Sequence, residues 1–561
     1  MTGSRKIINY FLLGLALLLG GFLLFYKLGN IPSGFYIDES LPGYNAYSIL
    51  KTGKDEYGKF LPLLFRFYGS YNPPLYTYLT VFPIAAFGLS VFSVRLVSAL
   101  AGLLSAIVVY KLLAESGTVK NKLTSIVVTL IYVTTPWLIL HSRVGYEVST
   151  AYLLFSLGSL LFWLGLRKYR FLLPAFFFLS LSTYAAYSER FLVPIFIVCL
   201  LFFFRKELFL KRSSRYTLYG ILTFVLTQIP HLTLIATPAF FPKSNLIASS
   251  AVVSQAQKVA QFLPYPISLG LSFLREFFSQ YLTYFSPRSL FFLPDPDPQR
   301  SLPVLSVFYF WLIIPFFLGI YALWVKRKEP FSKFVFLLAL LSPIPAALTK
   351  DPFATHRAMP LLLPLILIIG LGVDLIIDRI KGFVWIPTFL LLFLFSLLLL
   401  WRSYFVFLPK ERAKDWGYGF NLLAEEIKDR PNTKFVIDQA RIKPAYIQLA
   451  FFLALPPEDF QKSVDPAVKE NYYENTDFDA YYAFGKIETR NIIWEKDSYG
   501  EKVLVGDELS ISPEQANEHF LTKVFEIRDP VDRIIFVGYE TNPAKKCAMG
   551  NNLGLYCRNR K

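Results

Sequence analysis

The sequence predicts a polytopic α-helical membrane protein carrying a soluble C-terminal domain of α/β or α+β type. Three observations predict it. The 561 residues are 54% hydrophobic and 17% aromatic, with a mean hydropathy of +0.44, too apolar for an ordinary soluble globule. Apolar stretches close to the ~20 residues that a spanning helix needs recur from Ile7 to about Ser403 and then stop. The segments between those stretches alternate between basic and acidic.

The first run, "IINYFLLGLALLLGGFLLFY", is longer than a signal-peptide core and lacks a small-x-small cleavage site, so it is expected to stay as the first spanning helix. Ten further runs bring the expected total to about eleven transmembrane helices, roughly 7–27, 94–114, 122–140, 148–166, 171–187, 190–204, 216–236, 304–325, 333–349, 358–377 and 383–403. Residues 73–89, "PPLYTYLTVFPIAAFGL", are short and interrupted by Pro83. If they spanned, every later basic segment would change sides, so they read as a helix lying at the outer surface, where aromatics are at home.

Two connecting segments are long. The loop of about 28–93 opens with an acidic pair, Asp38 and Glu39. The loop of about 237–303 contains "PYPISLGLSFLREFFSQYLTYF", with apolar positions at helical spacing around Arg275, Glu276 and Gln280. That stretch fits a re-entrant or surface helix over a lipid-accessible cavity, and equally an amphipathic helix that only packs on the bundle. The expected division is a transmembrane domain, 1–403, containing both loops, and a soluble domain, 404–561.

The net charge of +17 does not mark a nucleic-acid binder, because the basic residues are dispersed in short segments between apolar runs. They are Arg5 and Lys6, "KNK" at 120–122, "RKYR" at 167–170, "FRKELFLKRSSR" at 204–215, "KRK" at 326–328 and "DRIKG" at 378–382. The alternate segments carry Asp38, Glu39, Asp55, Glu56, Glu147, Glu189, Asp295, Asp297 and Asp351. Positive residues stay cytoplasmic during insertion, which places the N-terminus on the cytoplasmic side of a plasma or inner membrane and the acidic loops on the other. An odd number of spans puts the C-terminal domain outside as well.

In that domain "YGFNLLAEEIKDR" reads as helix, and "TKFVID", "AYYAFG", "KVLVGDE" and "RIIFVGY" read as strands. It shows no Gly-rich phosphate loop, no Ser-His-Asp spacing and no paired-cysteine metal signature. Cys547 and Cys557 would lie where a disulfide persists; their spacing alone leaves the pairing open. Cys199, in an apolar run, reads as a packed small side chain.

With four histidines and no i, i+4 pair among them, a dedicated zinc cage is not expected. Asp38, Glu39 or Glu147 suit a hard divalent cation, though nothing requires one and no other cofactor is indicated. The outer ends of the helices hold more charge: Arg143 and Glu147 in "HSRVGYE", Glu189 and Arg190 in "TYAAYSERFLVP", and Lys350, His356 and Arg357 in "TKDPFATHR". A charge at a helix centre costs roughly 2.5–3.5 kcal/mol on insertion scales, so such residues line a cavity or sit at the interface. Carboxylates from early loops and cations from later ones suit a site that deprotonates a hydroxyl beside a bound phosphate. Each also has a plainer reading: an i, i+4 pair for Arg143 and Glu147, headgroup anchors for Glu189 and Arg190, a helix end for His356 and Arg357, and a hydrated loop for Asp38 and Glu39.

The acidic pair is followed by "TGKDEYG" at 52–58, "YNPPLYTYL" at 71–79 and "SVRLVSALAG" at 93–102, and later by "PWLILHSR", "TYAAYSERFLVP", "YLTYFSPRSLFF" and "PIPAALTKDPFATHRA". In this order, over about the first 405 residues, the chain resembles the glycosyltransferase C superfamily, and within it the protein O-mannosyltransferase and aminoarabinose transferase branch. The resemblance implies an inverting membrane glycosyltransferase that moves a sugar from a polyprenyl-phosphate carrier to a protein, lipid or glycan acceptor on the outer face. It implies Asp38 as the base, Glu39 as its neighbour in the motif, Glu147 as the second acidic position, and Arg357, with Arg190, beside the carrier phosphate. Arg143, His356 and Asn72 complete the substrate-binding candidates. Relatives similar to the aminoarabinose transferases often have Lys before the Pro-Pro pair, where this chain has Asn72, so the phosphate contact or the branch differs there. The expected partners are the lipid-linked sugar, the acceptor and membrane lipid, not nucleic acid. The competing readings are a flippase or transporter of lipid-linked sugars and a ligase or polymerase of lipid-linked glycans; transporters often carry internal repeats, and none is evident here.

Overall fold

Helices occupy each of the expected apolar segments: Gly3–Phe25, Val91–Ala114, Lys122–Val133 with Pro136–Ser142, Val148–Gly165, Leu172–Ser182, Tyr187–Phe203, Ser213–Leu232, Ile313–Val325, Pro330–Leu341, Leu362–Arg379 and Trp385–Leu400. The computed structural model describes residues 3–210, 213–240, 250–380, 384–440, 444–474, 482–549 and 557. Residues 241–249 of the second long loop and 480–481 of the expected strand "AYYAFG" lie outside the described residues. Among the described residues, six helical stretches are long and apolar enough to cross a membrane, or seven if a pair bent by 54° is one span. That pair is Lys122–Val133 and Pro136–Ser142. Pro136 lacks the N–H that would continue the helix, and the loosened turn is satisfied locally: Thr135 Oγ1 donates to the Ile131 carbonyl at 2.9 Å, and the Tyr309 hydroxyl donates to the Thr134 carbonyl at 2.6 Å.

Contacts divide the chain into two units. The helical unit is Met1–Leu28, Pro73–Tyr76 and Arg95–Val406. Close helix packing in it rests on small residues: a Cβ added at Gly319 would lie 1.8 Å from the Ile368 carbonyl oxygen, and one at Gly372 1.8 Å from that of Pro315. Helices Ile313–Val325 and Leu362–Arg379 therefore meet backbone to backbone. At the start of Lys122–Val133 the buried Asp374 carboxylate accepts from the backbone N–H of Lys120 (3.1 Å) and Asn121 (3.2 Å) and from Thr124 Oγ1 (2.8 Å), a negative charge where the helix dipole favours one.

The sheet unit is Gly29–Asn72, Thr77–Val94 and Phe407–Lys561. Here the structure departs from the expected division at 403/404, because most of the first long loop belongs with the C-terminal residues. The reason is apolar: Phe35 packs on Phe451 with ring centroids 4.4 Å apart, and a Cβ at Gly43 would sit 2.8 Å from the Phe451 ring. The loop contains the helix Ile37–Thr52 and a hairpin of β1 (Phe65–Phe67) and β2 (Ser70–Asn72). Tyr68 and Gly69 turn the hairpin with φ of 30° and 75°, the double positive φ that a tight two-residue turn of the primed type requires.

The C-terminal residues form a mixed six-stranded sheet from β3 (Phe435–Ile437), β4 (Tyr482–Phe484), β5 (Ile487–Thr489), β6 (Val503–Gly506), β7 (Thr522–Arg528) and β8 (Ile534–Glu540), in the order β4-β5-β3-β6-β8-β7. β3 runs parallel to both neighbours and is buried along its length, as is β6, the pattern of strands covered on both faces. Cys547 and Cys557 are joined in a disulfide, with Cα atoms 5.8 Å apart.

Candidate functional site

The acidic pair opens the helix Ile37–Thr52, in its first turn. Glu39 is fully buried, and its Oε2 accepts from the Tyr36 backbone N–H at 3.1 Å, satisfying one of the donors that a helix start leaves over. Asp38, one residue earlier, is half-exposed. Adjacent carboxylates thus occupy different environments: Glu39 is buried and bonded to the helix start, whereas Asp38 is only partly buried, at the positive end of the dipole. Asn72 ends β2 and pairs with Phe65 across the hairpin.

Within the helical unit a second group of charges forms around residues 295–300 and 351–357. Arg357 Nη1 donates to Asp351 Oδ2 at 2.7 Å. Arg300 lies 3.7 Å from the same oxygen, 3.5 Å from Asp295 and 3.3 Å from Asp297. The buried Asp295 carboxylate accepts from the backbone N–H and the hydroxyl of Thr355, each at 3.1 Å. Behind Thr355 stands His141, its Nε2 at 3.1 Å from the Thr355 hydroxyl and its Nδ1 bonded to the Tyr146 hydroxyl. If Tyr146 donates to Nδ1, Nε2 carries the proton, and Thr355 is left to donate to Asp295.

Burial raises the Asp295 carboxyl above its ordinary range, against the pull of Arg300. Burial, then the fields of Arg357 and Arg300, hold His356 well below its ordinary value, so it stands neutral. A narrow crevice of about 10 Å³, roughly one water, runs along this group, lined by Trp137, His141, Asp295 and Arg300 among others.

The remaining candidates are placed separately. Arg143 is buried and donates to the carbonyls of Leu23 (2.6 Å), Leu24 (2.8 Å) and Tyr26 (2.7 Å), where helix Gly3–Phe25 ends, with its guanidinium over the rings of Tyr404 and Phe405. Glu147, half-buried, is the N-cap residue of Val148–Gly165. Arg190 is held between the rings of Tyr187 and Phe240, 4.5 and 4.6 Å from their centroids, and donates to the Phe240 carbonyl. Glu189 accepts from the Ser188 hydroxyl at 2.6 Å.

The structure thus brings His356 and Arg357 together with Asp295, Arg300, Thr355 and His141, none of which the motif reading had among its site residues. The acidic run "DPDPQR" around Arg300 was the available signal. Among the described residues, no three His, Cys, Asp or Glu side chains are grouped to hold a metal ion.

No protein-family model and no curated protein matches the sequence. Solved structures do. ArnT from Cupriavidus metallidurans, bound to undecaprenyl phosphate, superposes with a TM-score of 0.53 at 14% identity, covering 96% of this chain and 98% of that one. The Archaeoglobus fulgidus oligosaccharyltransferase, tethered to an acceptor peptide containing the NVT sequon, matches with a TM-score of 0.50 at 11% identity, covering 95% of this chain and 74% of that one. At such identities the likeness is one of fold, and it runs nearly end to end: the chain shares the fold of ArnT and of the archaeal oligosaccharyltransferase.

Proposed function

We propose that the protein is an inverting glycosyltransferase that moves a sugar from a polyprenyl-phosphate carrier to a protein, lipid or glycan acceptor at the outer face of a cell membrane that it crosses about eleven times. The acceptor hydroxyl attacks the anomeric carbon from the face opposite the phosphate; the carbon–oxygen bond to phosphate breaks, and the polyprenyl phosphate leaves with the electron pair. Asp38 takes the hydroxyl proton, and Glu39 fixes the helix start that presents it. Arg357, with Arg300 beside it, supports the charge that grows on the departing phosphate, because forked donors suit phosphate oxygens. Glu147 and Arg190 contribute to the sugar and headgroup surroundings, whereas the bonds of Arg143 to the end of the first helix give it a structural task.

The observation that carries this reading is the placement of the acidic pair in the first turn of one helix: a partly buried Asp38 beside a fully buried Glu39 that bonds the helix start. The fold supports it, since a protein of the same fold binds undecaprenyl phosphate and another an acceptor peptide. A phosphate-linked sugar already has a leaving group, so no nucleotide site is needed. General-base catalysis contributes roughly 10²–10⁴-fold. Asp38→Asn should therefore lower turnover by at least about 100-fold in an assay of purified protein with radiolabelled polyprenyl-phosphate sugars and cell-envelope acceptors, with donor binding largely kept. Glu39→Gln should cost less. Near-normal transfer by Asp38→Asn would remove the assignment. Movement of lipid-linked sugar across vesicles without any transfer by the unmodified protein would favour a flippase instead, and transfer of whole glycans would favour a ligase.

A further inference from the structure

The helix that carries the acidic pair is tied at both ends, and along its length, to residues some 400 positions later. Before it begins, the Phe35 carbonyl accepts from Gln448 Nε2 at 2.6 Å, and the Ser33 hydroxyl donates to the Pro409 carbonyl at 2.8 Å. Gly34 passes so close to Trp416 that a Cβ there would lie 2.1 Å from the Trp416 carbonyl oxygen. In the middle, the Tyr44 hydroxyl donates to the Leu455 carbonyl at 3.2 Å. At the far end one side chain, Gln461, reaches Ser48 Oγ (3.2 Å), Thr52 Oγ1 (3.1 Å) and the Asp55 carbonyl (2.9 Å) through its Nε2.

The loop beyond is held by tyrosines. The buried Asp55 carboxylate accepts from the backbone N–H of Tyr57 and Lys59 and from the Tyr472 hydroxyl. The Tyr472 hydroxyl in turn accepts from the Arg66 N–H at 2.9 Å, and the Tyr472 carbonyl takes the Tyr71 hydroxyl at 2.6 Å. The Tyr57 hydroxyl meets those of Tyr482 (3.1 Å) and Tyr446 (3.4 Å). These bonds are directional and buried, where a lost partner costs more than a made bond contributes. Apolar packing alone would leave the helix free to slide or rotate by a fraction of a turn.

We propose that the C-terminal residues are the positioning element of the acidic-pair helix, with Tyr472 and Gln461 as positioning residues that set where the Asp38 carboxylate stands. The inference rests on the assignment of Asp38 as the base. A catalytic carboxylate must stay within hydrogen-bond reach of the attacking hydroxyl, and a displacement of about 1 Å can cost about 100-fold. The helix is largely buried, but non-directional burial does not by itself fix a carboxylate at its first turn to that tolerance. Tyr472 and Gln461 bond residues at and beyond the end of the helix opposite Asp38, so they act through the backbone that carries it.

The test uses the full-length protein in detergent or nanodiscs, with Tyr472→Phe, Gln461→Ala and Asp38→Asn compared. Tyr472→Phe should raise backbone hydrogen exchange over residues 54–66 and lower kcat about tenfold, while KM for the lipid-linked donor stays within about twofold. Gln461→Ala should do the same over residues 48–56 and serves if Tyr472→Phe is poorly folded. Unchanged exchange and unchanged kcat in both variants would overturn the proposal, and so would a loss of donor binding equal to the loss of kcat. If Asp38→Asn remains active while Tyr472→Phe shows the exchange change and the kcat loss, positioning by the C-terminal residues holds and the base lies elsewhere on the same helix. If Asp38→Asn is inactive while both positioning variants are normal, the base assignment stands and the positioning role falls.

Discussion

Arg357 donates a single N–H to Asp351 among the contacts described, in a fork of five, and its side chain is 23% exposed. A residue that serves only to end a helix could be replaced by Lys at little loss. One that grips a phosphate could not, because an ammonium lacks the planar pair of donors. Arg357→Ala should weaken binding of the lipid-phosphate donor roughly tenfold or more, Arg357→Lys should restore only part of it, and the melting temperature of both should stay near that of the parent. Donor binding measured by scintillation proximity on the purified protein decides this; normal binding by Arg357→Ala would return the residue to the plainer reading. Asp55 offers a separate test by pH. Burial pushes its carboxyl up to about 6, against the hydrogen bonds from Tyr472, Lys59 and Tyr57. The folded state therefore holds a proton that the unfolded chain releases near pH 4, so this group makes stability fall as pH rises from about 4 to about 6. The effect amounts to roughly 3 kcal/mol at most. In Asp55→Asn that slope should vanish, and thermal unfolding of parent and variant across pH 4–7 would show it as converging or diverging melting temperatures.

At the scale of elements, the end of the first helix depends on a residue far along the chain. Arg143 donates to three of its last carbonyls, groups that a helix terminus leaves over. Arg143→Met should destabilise the protein by about 1–3 kcal/mol, read as a lower unfolding temperature, with KM for the donor unchanged. A raised KM with unchanged stability would restore the substrate role. That use of Arg143 was not readable from "HSRVGYE", where spacing pointed to Glu147 as a partner; the carbonyls it serves lie about 120 residues earlier. The apolar helices were readable because runs of the right length announce them, whereas the helix Ile37–Thr52, with its mixed composition, read as loop. Readable too were the strands β3, β6 and β8, whose side chains are buried and mostly β-branched or aromatic. β5 is three residues of "IET", too short for a pattern, and β7 is an edge strand whose exposed Lys523 and Arg528 and half-buried Glu526 dilute its apolar face, as edges commonly do. The acidic pair was readable as a pair. The burial of Glu39 was not, because it depends on which way the helix faces. Arg300 had no local signal tying it to Asp351, a partner 51 residues away that only tertiary structure supplies.

For the whole molecule, the alternation of basic and acidic segments makes a prediction about sidedness. Lys51 and Glu508 are exposed in the sheet unit, and Lys206 is exposed in a basic segment of the helical unit. In a background lacking Cys199, Lys51→Cys and Glu508→Cys should react with a membrane-impermeant thiol reagent in intact cells, and Lys206→Cys only after permeabilisation. Labelling of all three in intact cells, or of Lys206→Cys alone, would overturn the orientation. The unequal membership of the first loop matters here too: a reader of hydropathy alone assigns it to the membrane domain because of its sequence neighbours, whereas Phe35 and Tyr44 find their partners at Phe451 and Leu455.

The bond between Asp55 and Tyr472 closes a span of 417 residues. A ribosome adding roughly 5–20 residues per second delivers Tyr472 about 20–80 s after Asp55. Throughout that interval the acidic-pair loop exists without the side chains that fix it. Chain order thus acts as a timer: the loop reaches its final form after the spanning segments have been made, and a chain interrupted anywhere before Gln448 carries the acidic pair without the side chains that tie both ends of its helix. Long-range closure of this kind is slow to form, and it links the order of the loop to the completeness of the chain, so a protease that trims unstructured loops would distinguish finished molecules from unfinished ones.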